Sequence, residues 1–195
     1  MKIVTLLIAL AALTVSHAGA ADTDTLKRDA LEQSRTLREN VRGGIAFPPE
    51  KRVWVRISGK PTVLNAHTLL FEDGTEVDLN GGMEAPELGQ KGLIDNSFYP
   101  CGKEAAEFLR KLIGNQTVTC YAGREHVQGK KVRIASGFIG ETNLDVEMLR
   151  NGWAVSDHSG MDAWEIIARE NKRGLWRGQF VVPKKWRAGE RLPGE

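Results

Sequence analysis

Residues 82–87 read Gly82-Met83-Glu84-Ala85-Pro86-Glu87, two carboxylates three positions apart around a proline. Pro86 locks its own φ near −65° and pushes Ala85 toward extended geometry, which keeps Glu84 and Glu87 off a common helical face. The local shape is a strand end running into a loop. Paired carboxylates on a rigid turn can hold a hard cation and orient a water. A metal site, an acid/base pair and a plain solvated turn are all open readings of these six residues.

Upstream, Val53, Val55 and Ile57 alternate with Trp54 and Arg56, the period of a half-buried strand, and Gly59-Lys60-Pro61 turns the chain. A second strand is expected from Val63 to Phe71, and Asp73-Gly74 is a hairpin signal that returns a third from Thr75 to Leu79. Downstream, a loop is expected up to Pro100. Ala105, Phe108, Leu109 and Leu112 then fall at i, i+3, i+4 and i+7, an amphipathic helix stopped by Gly114. Strands are expected over Gln116–Tyr121 and Val132–Ile139, and helices over Leu144–Asn151 and Met161–Arg173. Five strands with a helix before the fourth and two trailing helices predict a β-rich α+β fold, an OB-type five-stranded barrel with three packed helices.

The first twenty residues carry Lys2, an apolar run from Ile3 to Val15 and the small residues Ala18-Gly19-Ala20, the pattern of a secretory signal peptide cleaved near Ala20. The run is too short for a membrane span. A secreted or periplasmic protein is expected, with residues 21–50 as a charged extension and linker, a domain over 52–187 and a tail over 188–195. The domain has room for a real core and is expected to be monomeric. A net charge of +2 does not by itself demand nucleic acid. Export places Cys101 and Cys120 where disulfides persist, and one Cys101–Cys120 bridge is the simplest reading. Two free buried thiols, or thiolate metal ligands, are the alternatives.

Four motifs in this order resemble the staphylococcal nuclease, or thermonuclease, family, in particular its exported bacterial members with a cysteine pair. They are Gly82–Glu87; Cys101-Gly102; Asn143-Leu144-Asp145 with Gly152-Trp153-Ala154; and Glu165, Ala168-Arg169 and Gly174-Leu175-Trp176, continuing to Pro183 and Trp186-Arg187. The resemblance spans about Ile57 to Arg187 and implies phosphodiester hydrolysis with Ca²⁺, a water-orienting glutamate and two arginines that neutralise the transition state. It places Glu87 as the catalytic glutamate, Glu84 as a metal carboxylate and Arg133 as the best match for the second arginine. Lys130 and Lys131 are the alternatives at that position and are candidate phosphate-binding residues.

The family's first metal motif is here Asn65-Ala66-His67-Thr68, so a neutral imidazole stands where the resemblance implies an anionic oxygen ligand. With Glu84 and Glu87, His67 suits Zn²⁺ or Mn²⁺ better than Ca²⁺. The first arginine falls at Leu79, or at Asp78 after a one-residue shift, and neither holds a phosphate. The resemblance thus implies a nuclease with an altered catalytic set. The alternative is a non-catalytic barrel that binds nucleic acid, another anionic polymer or a polysaccharide. His126 and His158 are expected as surface residues, and Trp176, Phe180 and Trp186 as rings that dock the last helix.

Overall fold

The computed structural model describes residues 53–158 and 160–195; the expected signal peptide and the extension over residues 21–50 lie outside them. The chain runs along β1 (Trp54–Gly59) and β2 (Thr62–Val63), then β3 (Thr68–Leu70) and β4 (Glu76–Asp78). A short β5 (Met83–Glu84) carries the first carboxylate of the hexapeptide, and β6 (Gly92–Ile94) and β7 (Ser97–Tyr99) lead to α1 (Cys101–Ile113). Next come β8 (Val118–Gly123), β9 (Val127–Gln128), β10 (Lys131–Val132), β11 (Ser136–Ile139) and β12 (Thr142–Asn143). The remaining elements are α2 (Leu144–Arg150), β13 (Val155–Ser156), α3 (Asp162–Glu170), β14 (Gln179–Phe180) and α4 (Pro183–Arg187).

Two sheets carry most of the strands, in the orders β1-β8-β11-β12 and β2-β3-β4-β10-β9. All their pairings are antiparallel except β10 with β4, where Lys131 lies opposite Glu76. Two ribbons add β13 to β5 and β14 to β6 and β7. The result is a sheet-rich α+β fold with the element order of the OB type.

Helix α1 forms because Cys101, Ala105, Ala106, Leu109 and Ile113 line one buried face, and Arg110 and Lys111 complement the dipole at its last turn. Gly114, at φ +53°, ends it in the left-handed region where glycine has no Cβ penalty. Helix α2 starts where the Asn143 side chain accepts from the backbone N–H groups of Asp145 and Val146, at 2.8 and 3.3 Å.

Several expectations are corrected, among them the single strand over Val132–Ile139, which is divided between β10 and β11 in different sheets. The single strand over Val63–Phe71 is split, because Asn65 Oδ1 accepts from the N–H groups of His67 and Thr68 and holds a turn between β2 and β3. The loop before Pro100 is partly a hairpin, with Asp95 and Asn96 both at positive φ between β6 and β7. The last expected helix stops at Glu170, and α4 is an extra short helix with Pro183 in its first turn.

The main core gathers Leu69, Val77, Leu79, Met83, Leu109, Val118, Leu144 and Met148. A second cluster joins Cys101, Val155 and Leu175 to Tyr99, Trp153, Trp176 and Phe180. The rings of Trp176 and Phe180 meet edge-on at 4.9 Å, which docks the segment after α3 as its spacing suggests.

The expected Cys101–Cys120 bridge is absent: both cysteines are free and buried. They point into different clusters, Cys120 into the main core and Cys101 into the second, where its thiol donates to Gln90 O at 3.3 Å. Burial pushes both thiols up to about 12, so neither offers a thiolate. Among the described residues no helix is long and apolar enough to cross a membrane.

Candidate functional site

The hexapeptide places its carboxylates by backbone contacts on both sides. Glu84 lies in β5 opposite Val155, and the carbonyl of Glu87 rests against the start of α1. Gly102 makes that second contact possible, since a Cβ built on it would sit 1.7 Å from Glu87 O. The Asn65 turn delivers His67 to the same place, and β3–β4 pairing sets Thr68 opposite Asp78.

The side chains form an alternating chain of charge. Arg187, on α4, bridges both glutamates: its Nη2 contacts Glu84 and its Nη1 lies 3.2 Å from Glu87 Oε1. His67 Nε2 lies 3.4 Å from the same Glu87 oxygen, and His67 Nδ1 is 4.0 Å from Asp78 Oδ1. Arg133 Nη1 closes the far end at 4.0 Å from Asp78 Oδ2. The order is Glu84, Arg187, Glu87, His67, Asp78, Arg133.

Both ring nitrogens of His67 have partners. Thr68 Oγ1 gives its one proton to Asp78 Oδ1 at 2.8 Å, so it is left to accept from His67 Nδ1 at 3.1 Å. Nε2 faces the Glu87 carboxylate. The His67 hydrogen bond is the main reason the Glu87 carboxyl lies below the ordinary carboxylate value; partial burial opposes it, and His67 charge and Arg187 reinforce it.

Other expected site residues fall elsewhere. Lys130 donates to the backbone and carboxylate of Asp73 at 2.7 and 2.8 Å, and it is the main cause that pulls Asp73 down to about 2. Lys131 lies 3.9 Å from Glu76 in the neighbouring ladder. Both thus lie at the start of the β4–β10 ladder, away from the charge chain. Leu79 is fully buried and packs beside Gly137, so that position is part of the core and faces no phosphate.

Sequence reasoning gave Arg187 only as the end of the matching tail motif and missed its place between the two glutamates, and it treated Asp78 only as a possible misfit for an arginine. His158 is exposed as expected but lies over Gly82, where a Cβ would meet its Nε2 at 2.9 Å. The signal available for Asp78 was its β-ladder register with Thr68. No spacing pattern could join Arg187 to a glutamate 100 residues earlier.

The donor set does not fit Ca²⁺. Calcium takes six to eight oxygen ligands, whereas Glu84 and Glu87 are both directed at a guanidinium and the third position is an imidazole. Among the described residues no three His, Cys, Asp or Glu side chains are placed to hold a metal ion. This also counts against the expected Zn²⁺ or Mn²⁺ site at His67, Glu84 and Glu87 in the conformation described.

No curated protein matches the chain. The family model for staphylococcal nuclease homologues matches residues 79–178. That span begins at the buried Leu79, contains Glu84, Glu87 and Arg133, and ends before Arg187; the chain belongs to the staphylococcal nuclease homologue family.

Proposed function

We propose that this is an exported member of the family that binds the phosphodiesters of nucleic acid beside the charge chain and does not run the calcium-dependent cleavage reaction. The observation that carries this reading is Arg187, seated between Glu84 and Glu87 as a built-in counter-cation. The buried Leu79 supports it further, because losing a single donor to the transition state costs about 10²–10³ in rate. Export is supported by the N-terminal pattern of a charged start, an apolar run and small residues.

Arg133 is the residue best suited to meet a phosphate. Its side chain is 61% exposed and its contact with Asp78 is one of the two longest in the chain, so an incoming phosphate oxygen competes with a loosely held partner. Arg187 is less free, since it bridges two carboxylates.

Single-stranded DNA tests the reading in two assays. Binding is expected to weaken steeply as salt rises, with a smaller salt slope in Arg133→Ala. Cleavage with Ca²⁺, Mn²⁺ or Zn²⁺ added separately is expected to stay at background. Calcium-dependent cleavage that disappears in Glu87→Gln overturns the non-catalytic reading. Absence of DNA binding at low salt overturns the nucleic-acid reading.

A further inference from the structure

Trp54 is a large ring in an unusual place. It sits in the outward row of β1, 52% exposed, and its partner across the ladder is Gly123, which has no side chain to cover it. The Glu125 carboxylate lies over that glycine, within 2.6 Å of where its Cβ would be. Tyr121, His126 and Ile134 complete a pocket of about 210 Å³ with Trp54, and Ile134 is itself 41% exposed. The pocket reaches Gly81, the residue before the hexapeptide, and Ile134 is the neighbour of Arg133.

A flat exposed ring and a side wall of further rings make a site for one planar group. Arg56 lies two positions along the same strand face, and Arg133 is the chain neighbour of Ile134. That arrangement suits a polymer that alternates flat rings with negative charges. We propose that Trp54 is a stacking platform for a nucleobase of a single-stranded nucleic acid, one whose phosphate lies at Arg133. The proposal rests on the phosphodiester-binding reading above and adds a base subsite to it.

The test compares two oligonucleotides of equal length, one of cytosines and one whose central positions are abasic, binding to the full mature protein. Stacking on one aromatic ring is expected to favour the cytosine strand by about 5- to 150-fold. Trp54→Ala is expected to abolish that preference and leave abasic binding unchanged, while Trp54→Phe retains part of it. Because Trp54 is exposed, circular dichroism of both variants is expected to match the parent. Equal affinity for the two strands, or a preference that survives Trp54→Ala, overturns the base subsite and leaves the phosphodiester reading standing. Failure of both strands to bind overturns both. Competition by an uncharged oligosaccharide that is lost in Trp54→Ala assigns the ring to sugar and also overturns the proposal.

Discussion

Glu87 and Asp145 are both carboxylates partly or wholly removed from water, and the fold leaves them in opposite states. Glu87 has a hydrogen-bonding imidazole, His67, on one side and the Arg187 guanidinium on the other, and its carboxyl is held below the ordinary value. Asp145, in the first turn of α2, is fully buried against the core, and neither of its oxygens makes a well-formed hydrogen bond. Desolvation pushes it up to about 7, and Ser136 nearby offsets only part of that rise. Burial alone therefore does not set a carboxylate's charge here; the partner does. The cleft favours the ionised form of Glu87 by supplying hydrogen-bond donors, whereas the core keeps Asp145 largely protonated below neutral pH by withholding them.

The most severe way to break the paired side is through the backbone that holds it. Gly102→Ala places a methyl 1.7 Å from Glu87 O, so the hexapeptide or α1 must shift. The expected cost is about 3 kcal/mol or more, a large loss of melting temperature read by circular dichroism. A variant as stable as the parent would show that the contact is soft.

The unpaired side is tested by pH. The folded value of about 7 for Asp145 lies above its unfolded value of 3.8, so the folded state binds more protons between them. Its contribution is therefore fully present below about pH 4 and is lost as pH rises through about 7, an effect of about 2–4 kcal/mol. Urea unfolding from pH 4 to 8 is expected to show this slope in the parent and not in Asp145→Asn. A slope shared by both proteins would assign it to another group.

Glu87 has the opposite sign. Its folded value is depressed, so its contribution is present above the ordinary carboxylate range and is lost as pH falls through the lowered value. In His67→Ala, carbon-detected NMR titration is expected to return Glu87 toward 4.5, with a loss of about 1 kcal/mol at neutral pH. An unchanged titration would mean that Arg187 rather than His67 carries the effect. The smallest change is expected from Arg187→Ala, no more than about 1 kcal/mol, because the guanidinium is 40% exposed and screened.

The same contrast explains what could be read from the sequence. Helix α1 was legible because Ala105 and Leu109 repeat at helical spacing and Gly114 stops it, and both features are local. The hexapeptide and His67 were legible as candidates for the same reason. The β6–β7 hairpin was missed although Asp95-Asn96 between Ile94 and Ser97 carries a turn signal. Arg187 and the surroundings of Asp145 were not legible, since each depends on packing between distant segments. The cysteines failed in the same way: the compartment argument concerns redox conditions, whereas bridging needs two thiols to share one neighbourhood.

Arg187 is also the last member of the charge chain to be synthesised, 100 residues after Glu87. At translation rates of roughly 5–20 residues per second, the two glutamates precede their guanidinium by about 5–20 s. Through that interval Glu84 and Glu87 lack the guanidinium that bridges them in the folded protein. The counter-cation of both glutamates therefore comes with the C-terminal segment, in α4, which follows β14 and its pairing with β6.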